Sequence, residues 1–133
     1  MKLIQTIVEH DQFARHVGLN VIRVEKGYAE VEMPIRPCHL NAMDMVHGGA
    51  IFTLGDYAFA LAANFAGNPS VALSVSINFL RPGKAGVLTA KAKELSTAGR
   101  VATYLVEICD ADAQIVASFQ GLAYIKGSPV AKV

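Results

Sequence analysis

A chain of 133 residues is the length of one domain with one core, too short for two cores to be well buried. Hydrophobic residues at 53% against 17% charged, with mean hydropathy +0.36, exclude a disordered chain and point to a compact protein with further surface to hide in an oligomer. Twelve Lys and Arg against eleven Asp and Glu leave a formal charge of +1, too little for a charge-driven nucleic-acid binder.

Leu3, Ile4, Ile7, Val8 and Phe13 recur at helical spacing and predict a short amphipathic helix over 3–16, closed before Gly18. Strands over 19–24 and 28–35 follow, joined by a turn at Glu25, Lys26 and Gly27. In the second, Ala29, Val31, Met33 and Ile35 alternate with Glu30 and Glu32, the pattern of a half-buried strand. Pro34 and Pro37 close it, and a polar loop over 38–46 leads into His47-Gly48-Gly49.

Residues 50–66 are apolar on almost every face, so a central buried helix is expected, stopped by Gly67-Asn68-Pro69. The remainder predicts a meander of antiparallel strands over 71–80, 87–95, 101–109 and 114–125, and a loose tail over 127–133. In the first of these, Val71, Leu73, Val75, Ile77 and Phe79 are expected on one face and Ser74, Ser76 and Asn78 on the other. Strands, one buried helix, then more strands make an α+β plan within a single domain, 1–133. Six strands wrapped around one apolar helix resemble the hotdog fold.

Cys38 and Cys109 form neither a CxxC motif nor a disulfide framework, which fits reduced thiols in a cytoplasm. Glu9 and Asp11 in the N-terminal stretch are unlike a signal or transit peptide, and Asp56 interrupts the most apolar region, so no membrane span is expected. A soluble, cytoplasmic protein is the expectation.

Between Asp44 and Arg81, histidine aside, the only formally charged side chain is Asp56. A carboxylate in an apolar helix is costly unless its desolvation is offset. It either lies on a solvent-facing strip or caps a neighbouring backbone group, or it serves as a general base or nucleophile. His47-Gly48-Gly49 at the helix start is either a tight turn or a place where a carbonyl oxygen meets unpaired backbone N–H groups. Asn41 either adds an amide N–H to the same oxygen or closes an Asx-turn. His47 fits an acid/base role or a structural hydrogen bond. The spacing of Cys38, His39, Asp44 and His47 matches no standard zinc pattern, so no metal is expected. Gly48 and Asp56 are roughly 12 Å apart along a helix axis, too far for one carbonyl to touch both from one helix. Two helices packed about a two-fold axis would bring Gly48 of one chain to Asp56 of another.

Asn41-x5-His47-Gly48-Gly49-x6-Asp56, followed by Asn78-Phe79-Leu80-Arg81-Pro82, resembles the hotdog-fold acyl-CoA thioesterases of the phenylacetate-pathway (PaaI) type, over about residues 10–126. The resemblance implies that Asp56 is general base or nucleophile. It implies that the Gly48 N–H and Asn41 polarise the thioester carbonyl, with His47 nearby. Coenzyme A would lie at a subunit boundary against Phe79, Leu80, Arg81, Pro82, Gly83 and Lys84 and against Thr97, Gly99 and Arg100, and Gly49 would also contact the substrate. Dimers of dimers are implied. Many relatives carry Ser or Thr ten residues before the proline, to hold the attacking water. This chain has Ala72 there, and Ser74, about 7 Å further along the strand, is the candidate replacement.

The function expected is hydrolysis of an acyl-CoA thioester, needing no cofactor beyond the coenzyme A of the substrate. Arg81, Lys84 and Arg100 would meet the nucleotide phosphates. The acyl pocket is expected around Phe52, Tyr57 and Phe59, side chains that fit a plain core equally well. Two alternatives are a non-hydrolytic acyl-CoA-binding module and a hotdog hydratase or dehydratase. The last would need a catalytic histidine working with a carboxylate on the helix, and His47 precedes the helix.

Overall fold

Asp11 decides the shape of the N-terminus. In the computed structural model, which describes residues 2–127, the expected helix over 3–16 is two helices, α1 (Lys2–His10) and α2 (Gln12–Val17). Asp11 is extended, with φ −75° and ψ 96°, and its side chain accepts the Ala14 N–H at 2.9 Å. A short carboxylate that can cap a new helix competes with continuing the old one. Gly18, at φ +86°, ends α2 and sends its N–H back to the Ala14 and Arg15 carbonyls.

The strands are β1 (Asn20–Glu25), β2 (Tyr28–Pro34), β3 (Ser70–Phe79), β4 (Val87–Ala98), β5 (Val101–Cys109) and β6 (Ile115–Ile125). The long helix α3 (Gly48–Asn64) begins two residues earlier than expected, at the glycine pair itself. The six strands form one sheet in the order β1-β2-β4-β5-β6-β3, every pair antiparallel. This is the hotdog architecture expected from the sequence. The meander holds for β4 to β6 but not for β3, which lies on the far edge against β6. A helix of this length spans about 25 Å, more than the four strand spacings of about 4.8 Å each between β2 and β3, so the chain can cross the sheet before β4 returns to pair with β2.

The core lies between α3 and the concave face. Leu54, Ala58 and Leu61 of the helix are fully buried, as are Val31, Met33, Leu88, Val106, Ile108 and Phe119 of the sheet. Apart from Ala58, these side chains contribute roughly 1.5–3 kcal/mol each on burial. Close approach needs small residues. A Cβ built on Gly121 would stand 2.7 Å from Phe59 Cζ, and one on Gly55 3.0 Å from Phe119 Cδ2.

The register corrects the faces expected for β3. Ala72 pairs with Ala123 but Ser74 pairs with Leu122, so Leu73 is the extra residue of a bulge. Ala72, Val75, Ile77 and Phe79 share the face of the buried Ala123, Phe119 and Ala117, and Val71, Ser74, Ser76 and Asn78 share the other. Ser74 therefore does not lie on the Ala72 face, as simple alternation predicts. The outer edge of β3 has no strand beside it, and Val71, Leu73, Phe79 and Leu80 are exposed. Among the described residues no helix is long and apolar enough to cross a membrane. The tail expected loose lies outside the described residues from 128 onward.

Candidate active site

The loop expected over 38–46 is tied down at each end. It opens with a 3₁₀ turn, Pro37–His39, whose last residue is buried. His39 Nδ1 accepts the Arg36 N–H at 3.0 Å and its Nε2 donates to the Val17 carbonyl at 2.6 Å, so both ring nitrogens are occupied. Leu40 and Val46 then form an isolated bridge, and the Asn41 N–H donates to the Met45 carbonyl at 2.7 Å. The Asn41 Oδ1 accepts the N–H groups of Met43 at 2.9 Å and Met45 at 3.2 Å. The Asx-turn and the donor reading are thus compatible: the backbone takes the oxygen and leaves the Nδ2 N–H groups to point elsewhere.

The start of α3 disposes of its unpaired amides unequally. His47 is the N-cap; its Nδ1 accepts the Gly49 N–H at 2.8 Å, which puts the ring proton on Nε2. The His47 carbonyl takes the N–H groups of Ala50 at 2.9 Å and Ile51 at 3.2 Å. Of the four N-terminal amides only that of Gly48 has no partner among the described residues. Side chains at both glycines would intrude: a Cβ on Gly48 would meet the Phe79 ring at 3.3 Å, and one on Gly49 would meet His47 Nδ1 at 3.1 Å.

Asn41 and Gly48 line one cavity of about 480 Å³, together with Phe79, Leu80, Arg81, Pro82 and Gly83. Seven residues singled out in the sequence thus meet in one place. Its remaining walls, Met45, Val46 and Ile51, were missed, although apolar residues flanking a glycine pair are the signal that marks them. Lys84 follows as an exposed side chain, and Arg81 donates to Gln114 Oε1 at 3.2 Å. The cavity does not include Ser74 or the β4–β5 turn. Thr97 hydrogen-bonds Glu94 and lines a separate cavity near Asn68 and Tyr104, Gly99 is an exposed turn residue at φ +62°, and Arg100 donates to the Ile125 carbonyl at 2.9 Å. His47 and Gly49 lie on the other side of the first turn of α3, in a second cavity.

Asp56 is half-buried on a partly exposed strip of α3 that runs through Gly49, Thr53, Ala60 and Ala63. Among the described residues its carboxylate has neither a hydrogen-bond donor nor a cation beside it. Burial, first, and then the negative charge of Asp11 push its pKa above the ordinary carboxylate range. Asp56 does not line the cavity of Asn41 and Gly48, in keeping with the roughly 12 Å along the helix. Phe52, Tyr57 and Phe59, around which the acyl pocket was expected, do not line this cavity. Phe59 packs in the core against Tyr104 and Phe119, with ring centroids 5.6 and 5.8 Å away, and Tyr57 is buried beneath α2. Phe52, 37% exposed, leans on Phe119. No group of three His, Cys, Asp or Glu side chains among the described residues is placed to hold a metal ion.

This fold and arrangement define a class. The family model of the thioesterase superfamily matches residues 43–117, and the chain belongs to that superfamily, a family of thioester hydrolases. Within it, the chain is 37% identical over 123 residues to the acyl-coenzyme A thioesterase PaaI of Escherichia coli, covering 92% of this chain and 88% of that one. The structure of the E. coli PaaI protein superposes with a TM-score of 0.90 over 94% of this chain and 91% of that chain, at 36% identity. A Streptococcus mutans protein solved bound to acetyl CoA superposes with a TM-score of 0.80 at 27% identity, over 84% of this chain and 91% of its own.

Proposed function

We propose that the protein hydrolyses an acyl-CoA thioester to a carboxylic acid and free coenzyme A. The observation that carries this reading is the pairing, in one cavity, of the one unpartnered amide at the start of α3 with an Asn41 side chain whose oxygen is already taken. Two N–H donors in the wall of one cavity are what a tetrahedral intermediate can use for its developing negative charge. The relatives' names supply the substrate class, an acyl-coenzyme A thioesterase and a protein holding acetyl CoA. Asp56 either activates a water or attacks the carbonyl, and a raised pKa strengthens a carboxylate as a base. With its proton on Nε2, His47 offers a donor, and it faces the neighbouring cavity rather than that of Asn41 and Gly48.

Since Asp56 stands away from the Gly48 cavity of its own chain, the working site draws Gly48 and Asn41 from one protomer and Asp56 from another. The exposed apolar edge at β3 is the surface on which two copies would meet, and dimers of dimers would follow. Arg81 and Lys84, beside the cavity, are placed to meet the substrate's phosphates. Thr97, Gly99 and Arg100 serve the coenzyme only across such an assembly. Two free cysteines accord with a cytoplasmic setting. Thiol release from a panel of acyl-CoA thioesters tests the activity, and Asp56→Asn tests the assignment. The variant keeps the shape but cannot accept a proton, so turnover should fall by about 10²–10⁴ with coenzyme A binding retained. Turnover within about ten-fold of wild type would remove Asp56 from the mechanism.

A further inference from the structure

Two cavities flank the first turn of α3, and consecutive residues face them in turn. Gly48 lines the larger, of about 480 Å³; His47, Gly49 and Ala50 line the smaller, of about 290 Å³, under α2. Gly48 thus stands in the chain between residues that line the smaller cavity, and an oxygen bound at its N–H in the larger one lies a single residue from that wall. A thioester has two unlike arms. The coenzyme arm is long and anionic, and the larger cavity, with Arg81 on its wall, suits it. The acyl arm is uncharged.

Resting on the thioesterase reading above, we infer that the smaller cavity receives the acyl group and that Phe13 is its specificity-determining residue. Its apolar walls come from Phe13 and Val17 of α2 and from Ala50 of α3, and it holds no carboxylate. Of its polar groups, both nitrogens of His39, Nδ1 of His47 and the Thr53 hydroxyl, which donates to the Gly49 carbonyl at 2.8 Å, are hydrogen-bonded, while the His16 ring, the Cys38 thiol and Nε2 of His47 have no partner among the described residues. Those three residues are exposed, so their unpaired groups can keep water while an acyl chain fills the cavity. At about 30 Å³ per water, the space equals roughly ten waters, room for an arylacetyl group or a chain of up to about eight carbons. Phe13 stands at the rim with 61% of its surface exposed, an aromatic face free to cover such a group.

The test measures kcat/KM for acetyl-, hexanoyl- and phenylacetyl-CoA in wild type, Phe13→Ala and Ala50→Leu. Ala50→Leu fills the cavity. It should lower the phenylacetyl-to-acetyl ratio about ten-fold or more, since even one methylene in an apolar pocket is worth about that much. Phe13→Ala should lower the same ratio by about three-fold or more. Its side chain is exposed enough for the fold to tolerate the change, so it decides the matter alone if Ala50→Leu does not fold. Unchanged ratios in folded variants, or equal loss for every acyl group, would overturn the assignment while leaving the thioesterase reading intact. Wild-type protein that released no thiol from any member would overturn that reading, and this one with it.

Discussion

Asn41→Ala and Asp56→Ala, each inactive alone, should restore one another when mixed. Losing one oxyanion donor costs about 10²–10³ in turnover, and losing a base about 10²–10⁴, so each parent homodimer should retain at most about 1%. The distance decides what mixing does. Eight residues of α3 separate Gly48 from Asp56, roughly 12 Å of helix, and Asp56 is not in the wall that Asn41 and Gly48 share. If a site takes its donors from one protomer and its carboxylate from the other, a mixed dimer has one doubly damaged site and one intact site. Random exchange at equal concentrations makes half of the dimers mixed, so roughly a quarter of all sites should regain wild-type activity, at least about 25-fold above either parent. The assay is thiol release after subunit exchange, with mixed dimers counted by native mass spectrometry. Activity no higher than the parents' mean, with exchange confirmed, would refute the shared site.

Asp11→Ala removes the N-cap of α2 and should cost about 1 kcal/mol in denaturant unfolding; it also removes a negative charge that raises the Asp56 pKa, so the acid limb of kcat/KM should move to lower pH. An unmoved limb would show that Asp11 does not act on Asp56. Gly121→Ala should destabilise by about 1–3 kcal/mol, because the added methyl meets the end of a Phe59 ring already held by Tyr104 and Phe119; an unchanged unfolding midpoint would contradict that packing. Asp56→Asn should be more stable than wild type at neutral pH. A carboxyl whose folded pKa is raised contributes stability below its unfolded pKa, near about 3.9, and loses it as pH rises through the folded value, so the two proteins should converge in acid. Equal unfolding midpoints at pH 8 would count against the desolvation of Asp56.

What was legible in the sequence was whatever rests on local chemistry. The alternation of Ala29, Val31 and Met33 with Glu30 and Glu32 sets β2, the apolar run after the glycine pair sets α3, and Asp56 stands out because, histidine aside, no other formally charged side chain lies between Asp44 and Arg81 in the sequence. What was not legible depends on pairing partners far along the chain. Nothing in 70–79 says that β6 rather than β4 lies beside it, and the Leu73 bulge that reverses the faces of Ala72 and Ser74 exists only as a mismatch with β6. The break at Asp11 was readable in kind, as a capping residue, but the run of apolar positions through Phe13 outweighed it. Which aromatic residues of α3 line a cavity was not legible, because on an apolar helix they look alike whether they face a cavity or, like Phe59, fill a core.

The pairing of β3 with β6 also bears on how the chain is made. Ser70 meets Ile125 and Phe79 meets Ala117, partners 125 − 70 = 55 and 117 − 79 = 38 positions apart. During synthesis, β3 cannot join the sheet until β6, the last strand, has left the ribosome. Through that interval the strand with the most exposed apolar residues has nothing to pair with, and loops of this length close slowly compared with hairpins such as β4–β5. Premature termination short of Ile125 would therefore strand β3 and take away one wall under α3, and chains lacking only the final strand should be found aggregated or degraded rather than partly active.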